Sequence, residues 1–347
     1  MFSKKPHNYG IHDIRVGVIG ATGNVGRTIL QILEEKGFSQ ANITAVASRR
    51  SIGREISYGD KGILKVIPLE DFDFSSTQVV LSSAGSTTAK AFVERAMAAG
   101  SIVIDNSSAF RLDKNVSLLI PEVNAKDIAL VKQKRIIASP NCAMIQLAVA
   151  LKPLDDFVPI KRVIVSTYQS VSGAGKKAMD ELFSQTRAVY MNSPTQTEYF
   201  PKVIAFNLIP QIDSIDTAGH TGEEIKIMKE FKKVMHRDIP ISVTAVRVPV
   251  FIGHSMSVNV EFKDKMTVSD ARSVLKKAHG VTLIPDSQNY TTPAEVCGEN
   301  DIFISRIRKD LSCEHGLNMW IVADNLRKGA ALNVVQILEL LIERKIV

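Results

Sequence analysis

The sequence predicts an α/β chain built in two parts, and three observations carry that prediction. A short apolar run beginning at residue 14 leads into a glycine-rich turn and then an amphipathic stretch. Further short apolar runs recur up to residue 138, as the strands of a parallel sheet with crossover helices would. Beyond residue 142 the runs alternate apolar and polar residues, the pattern of an α+β part whose sheet has one covered face. With 347 residues and 45% hydrophobic content, the chain can bury two cores of this kind.

Residues 1–13 have no periodic pattern and are expected to form a loose tail. Ile14-Arg-Val-Gly-Val-Ile19 reads as a strand buried on both faces, and Gly20-Ala-Thr-Gly23-Asn-Val-Gly26 as a tight turn. Arg27-Thr-Ile-Leu-Gln-Ile-Leu33 continues as a helix with apolar positions at Ile29, Leu30 and Leu33. That order opens a Rossmann dinucleotide-binding unit: the glycines let the backbone approach a pyrophosphate, whose charge sits at the helix N-terminus. Gly20, Thr22, Gly23, Asn24 and Val25 are the candidate contacts, against the alternative of a plain turn. The second strand, Ile43-Thr-Ala-Val-Ala47, ends in Ser48-Arg49-Arg50-Ser51, where an NAD site usually carries an acid. Ser48, Arg50 and Ser51 suit a 2′-phosphate instead, so NADP is the expected cofactor; the bland reading is a solvated basic loop.

Strands at Gln78-Val-Val-Leu-Ser82 and Ser101-Ile-Val-Ile-Asp105 flank a helix near residues 88–99. Gly85 lies in the turn after the first, where an open sheet brings strand ends to a ligand crevice. Arg111, closing the loop after the second, is a candidate anion ligand, although a lone arginine is more often a surface residue. Next comes a short strand, Arg135-Ile-Ile-Ala138, and then Ser139-Pro140-Asn141-Cys142-Ala143. Pro140 keeps Ser139 extended, and Asn141 is a preferred N-cap for the apolar helix that follows. Cys142 thus falls in a first helical turn, where unpaired N–H groups and the helix dipole stabilise a thiolate. A small buried hydrophobe is the competing reading of that cysteine.

Alternating strands follow near residues 161–168, 241–248 and 255–262, with a long irregular connection over about 192–221. A helix at 268–277, strands near 301–306 and 319–323, and a helix at 328–343 complete the chain. The last helix, apolar at Ala331, Val334, Val335 and Leu338, is expected to return to the nucleotide-binding part. The expected domains are therefore 14–141 with 325–347, and 142–324.

Several classes are disfavoured. No apolar run approaches membrane-spanning length, and the first residues lack the apolar core of a secretory signal. Cys142, Cys297 and Cys313 are too far apart for a Cys-x-x-Cys metal pair, so no metal is expected, and a reduced, cytoplasmic protein is. The net charge of +7 is scattered, without basic runs and interleaved aromatics, which favours phosphate-bearing small molecules over nucleic acid.

Several motifs together resemble the aspartate-β-semialdehyde dehydrogenases. They are the glycine turn at 20–26, Ala138-Ser-Pro-Asn-Cys142, Tyr168-Gln-Ser-Val-Ser-Gly-Ala-Gly175 and Ala205-Phe-Asn-Leu-Ile-Pro210. Glu223-Glu-Ile-Lys226, Arg247-Val-Pro-Val-Phe-Ile-Gly-His254 and Ala323-Asp-Asn-Leu-Arg-Lys-Gly-Ala330 follow in the family's order. The resemblance runs from about residue 14 onward and departs from the family in the tail and at Asp216-Thr-Ala-Gly-His-Thr221. It implies a Rossmann domain, a catalytic and dimerising α+β domain of the glyceraldehyde-3-phosphate dehydrogenase type, and a homo-oligomer, dimer or tetramer. The implied reaction is NADPH-dependent reduction of aspartyl phosphate to aspartate semialdehyde with release of phosphate. Its place would be lysine (diaminopimelate), threonine and methionine biosynthesis.

In that reading Cys142 forms a thioester, His254 is the acid/base, and Gln169 orients the thioester or substrate carboxylate. Arg247 holds the α-carboxylate, Glu223 the amino group, and Lys226 with Arg111 the phosphate. Ser172 and Gly173 approach the cofactor, and Asn325 lies at its nicotinamide end. Glu223 and Lys226, three apart on a helix, would otherwise be an ordinary surface pair. N-acetylglutamyl-phosphate reductase and glyceraldehyde-3-phosphate dehydrogenase share the thiol–histidine logic, but their substrates present no free α-ammonium. A catalytically silent NADP-binding regulator would not need Cys142, Gln169 and His254 together.

Overall fold

The computed structural model describes residues 13–60, 62–286 and 288–347. The expected tail therefore lies, except for Asp13, outside the described residues. The chain divides into two compact units: the first runs through Pro140 and resumes at Ala330, and the second is Asn141–Gly329.

The first unit holds, among the described residues, a sheet of seven parallel strands. Their order is Ile67–Pro68, Ile43–Ala47, Val16–Ile19, Val79–Ser82, Ile102–Asp105, Ile136–Ala138 and Ser117–Leu118. The chain builds outward from Val16–Ile19 in one direction and then returns to its other side. The reversal lies between Val16–Ile19 and Val79–Ser82, where a parallel sheet opens a crevice at its strand ends. The first helix spans Asn24–Glu35, three residues earlier than its periodicity predicts, because Gly23 is its N-cap. Its neighbour across the crevice, Ser86–Ala98, is capped by Gly85. A hairpin of Glu55–Tyr58 and Gly62–Lys65, absent from the sequence reading, adds Ile56, Tyr58 and Leu64 to the core.

The helix Leu332–Glu343 belongs to this core: Leu332, Val334, Val335, Ile337, Leu338 and Leu341 are all buried in it. Each buried aliphatic side chain contributes about 1.5–3 kcal/mol. Together they exceed the roughly 5 kcal/mol of loop-closure entropy that a detour through the second unit costs. The predicted single helix at 328–343 opens instead with a π-helical turn, Arg327–Ala331.

The second unit is a mixed sheet ordered Ile241–Arg247, Ile160–Gln169, His254–Phe262, Gly316–Ala323, Ile302–Lys309 and Val281–Leu283. Helices Cys142–Phe157, Gly222–Met235 and Val268–Leu275 pack on one face. On the central strands Val163, Val165 and Thr167 point into that layer, while Ile164, Ser166 and Tyr168 stay partly or fully exposed, as the alternation predicts. A helix at Lys176–Tyr190 was not predicted. Residues 191–221 form no helix or regular strand, only the bridges Ile209↔Arg247 and Ile215↔Thr221.

Candidate active site

Strand register assembles most of the predicted chemistry at one end of the second sheet. Gln169 pairs with Arg247 across parallel strands, Tyr168 with Ser255, and His254 with Ala323. Arg247, Gln169 and His254 therefore end three adjacent strands. Two helices begin at the same end. Asn141 caps the first, its Oδ1 accepting from the backbone of Ala143 at 2.9 Å and Met144 at 3.2 Å, which leaves Cys142 as the first helical residue. The second, Gly222–Met235, starts in a capping box of Thr221 and Glu224 and presents Glu223 in its first turn.

Within this cluster Cys142 Sγ lies 3.2 Å from His254 Nε2. Glu223 Oε1 accepts from Asn141 Nδ2 at 2.8 Å and from Gln169 Nε2 at 3.0 Å, tying the two helix N-termini to the sheet end. Gln169 Oε1 accepts in turn from Thr167 Oγ1 at 3.0 Å, so both ends of the amide are fixed. Lys226 ion-pairs with Asp213 and lies 3.7 Å from Glu223 Oε2. Arg247 Nη1 donates to the Ser170 carbonyl at 2.7 Å.

The charges here are interdependent. Arg247 is 6% exposed, and burial draws its guanidinium below the ordinary range; Glu223, then Cys142, oppose that shift. A buried cation persists only beside such anions. His254 is fully buried, and its pKa is lowered to about 3, by burial first and by Arg247 second. The Gly253 peptide group opposes both more weakly.

Ser172, Gly173 and Asn325, predicted to meet the cofactor, belong to this second unit and support the histidine loop. Asn325 Oδ1 accepts from Gly253 N at 2.8 Å and Ser170 Oγ at 3.0 Å, and Asn325 Nδ2 donates to Ser172 Oγ at 2.9 Å. A Cβ on Gly173 would come within 3.3 Å of the His254 ring and 3.5 Å of Arg247 Nη1. A side chain there would crowd the ground between the two.

The remaining predicted residues belong to the first unit. Gly20 adopts φ +80°, a conformation that strains other residues, and a Cβ on Gly26 would sit 2.2 Å from the Gly20 carbonyl oxygen. The helix behind them starts after Gly23 with no side-chain cap, and a helix N-terminus favours an anion such as a pyrophosphate. Thr22 and Ser51 hydroxyls are 3.4 Å apart, which brings the glycine turn and the second strand's end together. Arg49 is held by Asp71 at 2.8 Å and Glu70 at 3.9 Å, whereas Ser48 and Arg50 are exposed. Turn, uncapped helix and basic rim fit a phosphorylated dinucleotide. Arg111 is 7% exposed and clamps the main chain, Nε donating to Ser139 O at 2.9 Å and Nη2 to Asn106 O at 2.8 Å.

Sequence reasoning missed three contributors. Glu230 accepts the Asn141 backbone N–H at 2.6 Å; its place seven residues after Glu223, on the same helix face, was the available signal. Ser170 contacts His254 Nδ1 and Asp213 contacts Lys226, and neither had a local signature. Among the described residues no cluster of three His, Cys, Asp or Glu side chains could hold a metal ion. No helix among them is long and apolar enough to cross a membrane.

Comparison with known proteins places the chain. The family model described as semialdehyde dehydrogenase, NAD binding domain, matches residues 15–131, and that for the semialdehyde dehydrogenase dimerisation domain matches 151–328. An aspartate-semialdehyde dehydrogenase of Rickettsia conorii is 49% identical, over 94% of this chain and 97% of its own length. One from Aquifex aeolicus is 46% identical, over 96% and 99%. Among solved structures, aspartate semialdehyde dehydrogenase II from Vibrio cholerae, solved also in complex with ASA, superposes with a TM-score of 0.93 at 41% identity, covering 95% of this chain and 98% of that one.

Proposed function

Because the chain belongs to the aspartate-semialdehyde dehydrogenase family, we propose that it reduces L-4-aspartyl phosphate to L-aspartate 4-semialdehyde, reversibly, in amino-acid biosynthesis. The observation that carries the reading is the 3.2 Å approach of Cys142 to His254 at a helix N-terminus, beside buried Arg247 and Glu223. Cys142 attacks the acyl carbon, phosphate leaves, and the acyl group is held as a thioester. The cofactor, NADPH, supplies the hydride that reduces it. The Nε2 face of His254, 3.2 Å from Cys142 Sγ, is the polar group that faces the oxygen that then becomes negative. Gln169, pinned between Thr167 and Glu223, fixes the approach of the acyl group.

Arg247 receives the α-carboxylate and Glu223 the α-ammonium, a pairing that an N-acylated or non-amino substrate would leave unsatisfied. Lys226 and Arg111 are assigned to phosphate. Ser172, Gly173 and Asn325 are assigned to the nicotinamide end, and Gly20, Thr22, Gly23, Asn24, Val25 and Gly85 to the pyrophosphate side. A dimer is the assembly we favour, through the dimerisation domain that the second family model describes. A reaction that depends on a free thiolate belongs in a reducing compartment, so we place it in the cytoplasm.

The test is NADP reduction with aspartate semialdehyde in the presence and absence of inorganic phosphate. Strong phosphate dependence is expected. Equal rates without phosphate, or equal use of an N-acetylated semialdehyde, would overturn the reading.

Cofactor choice gives a second expectation. Arg50→Asp should move the NADP/NAD ratio of kcat/KM towards NAD by about 10- to 100-fold, the effect of a charge-assisted contact made at an exposed rim. An unchanged ratio would remove Ser48, Arg50 and Ser51 from the 2′-phosphate site.

A further inference from the structure

Lys226 is the cation of the second unit assigned to phosphate, yet its ammonium stands between two carboxylates. It ion-pairs with Asp213 and lies 3.7 Å from Glu223 Oε2. Glu223 has a substrate group to meet, the α-ammonium. Asp213 has none.

Asp213 is held firmly in place. Its φ is +67°, in the left-handed region that Asp and Asn tolerate better than most side-chain-bearing residues. Such a conformation persists where the surrounding contacts enforce it. Here the segment around Asp213 is zipped to the start of the Lys226 helix, Gly222–Met235. Glu223 N donates to Ile212 O at 3.3 Å and Gly222 N to Ser214 O at 2.9 Å, and Ile215 bridges Thr221. A Cβ on Gly222 would come 2.9 Å from that of Asp213, so only glycine admits the turn so close.

The two partners of the ion pair are therefore unequal. Lys226 reaches it on a flexible four-carbon stem, with its side chain 34% exposed. A phosphate can draw that ammonium away, whereas the Asp213 carboxylate, one methylene from a fixed backbone, cannot follow. The negative charge of Asp213 also extends into the site. Burial draws the Arg247 guanidinium down, and Asp213, after Glu223 and Cys142, is among the anions that oppose it.

We propose that Asp213 is a fixed competitor for the Lys226 ammonium: it aims the lysine in the free enzyme and loosens its hold on phosphate, so that the anion leaves after acyl transfer. Asp213 acts through Lys226 and is thereby a positioning residue. The inference rests on the reaction given above and on the assignment of Lys226 to phosphate. With the α-ammonium on Glu223, Lys226 and Asp213 remain as a neutral pair, and an anion gains less from a neutral pair than from a free ammonium. Loose binding suits a leaving group. A phosphate that stayed would attack the thioester again and reverse the step.

Asp213→Asn tests the sign of the effect, since it removes the charge, keeps the shape and suits the left-handed backbone. In oxidation of aspartate semialdehyde by the full-length enzyme, KM for inorganic phosphate should fall about 5- to 10-fold, while KM for NADP hardly moves. Inhibition by phosphate in the reductive direction should strengthen by the same factor. The gap from wild type should close as NaCl rises from about 0.05 to 0.5 M, because the pair is partly exposed and screened. Asp213→Gly, which accepts the same backbone without a side chain, should also lower KM for phosphate. A KM for phosphate that is unchanged or raised in Asp213→Asn would overturn the proposal, as would a gap that salt does not close. Lys226→Ala separates the inference from the reading beneath it. If KM for phosphate rises in Lys226→Ala but does not fall in Asp213→Asn, only the Asp213 inference fails. If Lys226→Ala leaves it as it was, the lysine is no phosphate ligand, and assignment and inference fall together.

Discussion

Cys142→Ala should lower turnover of aspartate semialdehyde by about 10⁵-fold or more while leaving NADP affinity unchanged, since removing a covalent nucleophile leaves only binding and oxyanion stabilisation. No other cysteine is placed to replace it. Cys297 is exposed, and burial of its sulfur together with nearby Asp324 raises its pKa, which disfavours a thiolate. Cys313 is on the turn before the strand Gly316–Ala323, away from the sheet end that carries His254. Alkylation should therefore reach Cys142 first, with activity lost in step and with NADP or substrate protecting. Peptide mapping that finds Cys297 or Cys313 modified first, in step with inactivation, would show that the nucleophile has been misassigned.

The second large effect belongs to Arg247. Arg247→Leu is expected to lower kcat/KM by about 10³-fold, because a charge-assisted partner of the substrate is lost in a closed site. The dissociation constant of NADP should hardly change. The variant should also be less stable, by about 3–5 kcal/mol at most, since Glu223, 5% exposed, loses a buried countercharge. Lys226, 3.7 Å from its other oxygen, softens that loss. Glu223→Gln in the same background should restore stability without restoring activity, which separates folding from recognition. Glu223→Gln alone should weaken selection for the free amine over an N-acylated analogue. If Arg247→Leu instead left kcat/KM within a few-fold of wild type, the α-carboxylate would have to be held elsewhere.

How much of this was legible in the sequence varies with how local the cause is. The cap at Asn141 was readable because a side chain two residues from its N–H partner acts within one turn. The opening strand, turn and helix were readable for the same reason. The hairpin at Glu55–Tyr58 and Gly62–Lys65 was missed because its strands are four residues long, with only Ile56, Tyr58 and Leu64 facing inward. The π-helical turn at Arg327–Ala331 keeps the composition of a helix, so periodicity could not mark it. Within that turn Gly329 approaches the Cys142 helix closely, and a Cβ there would come 3.0 Å from that of Cys142. Cys142 was read from its place just after that cap, and His254, Arg247 and Glu223 through family motifs, whereas Ser170 acts through its backbone, which no side-chain pattern reports.

The discontinuity of the first unit has a consequence for synthesis. Its central strands are made early, but the helix Leu332–Glu343 that covers their apolar surface is made only after all of Asn141–Gly329. On the ribosome the second unit has its complete sequence available sooner, while the nucleotide-binding sheet waits with Val16, Val79 and Ile104 lacking part of their packing. The contacts that close it span most of the chain, and contacts of such long range are the slowest to form.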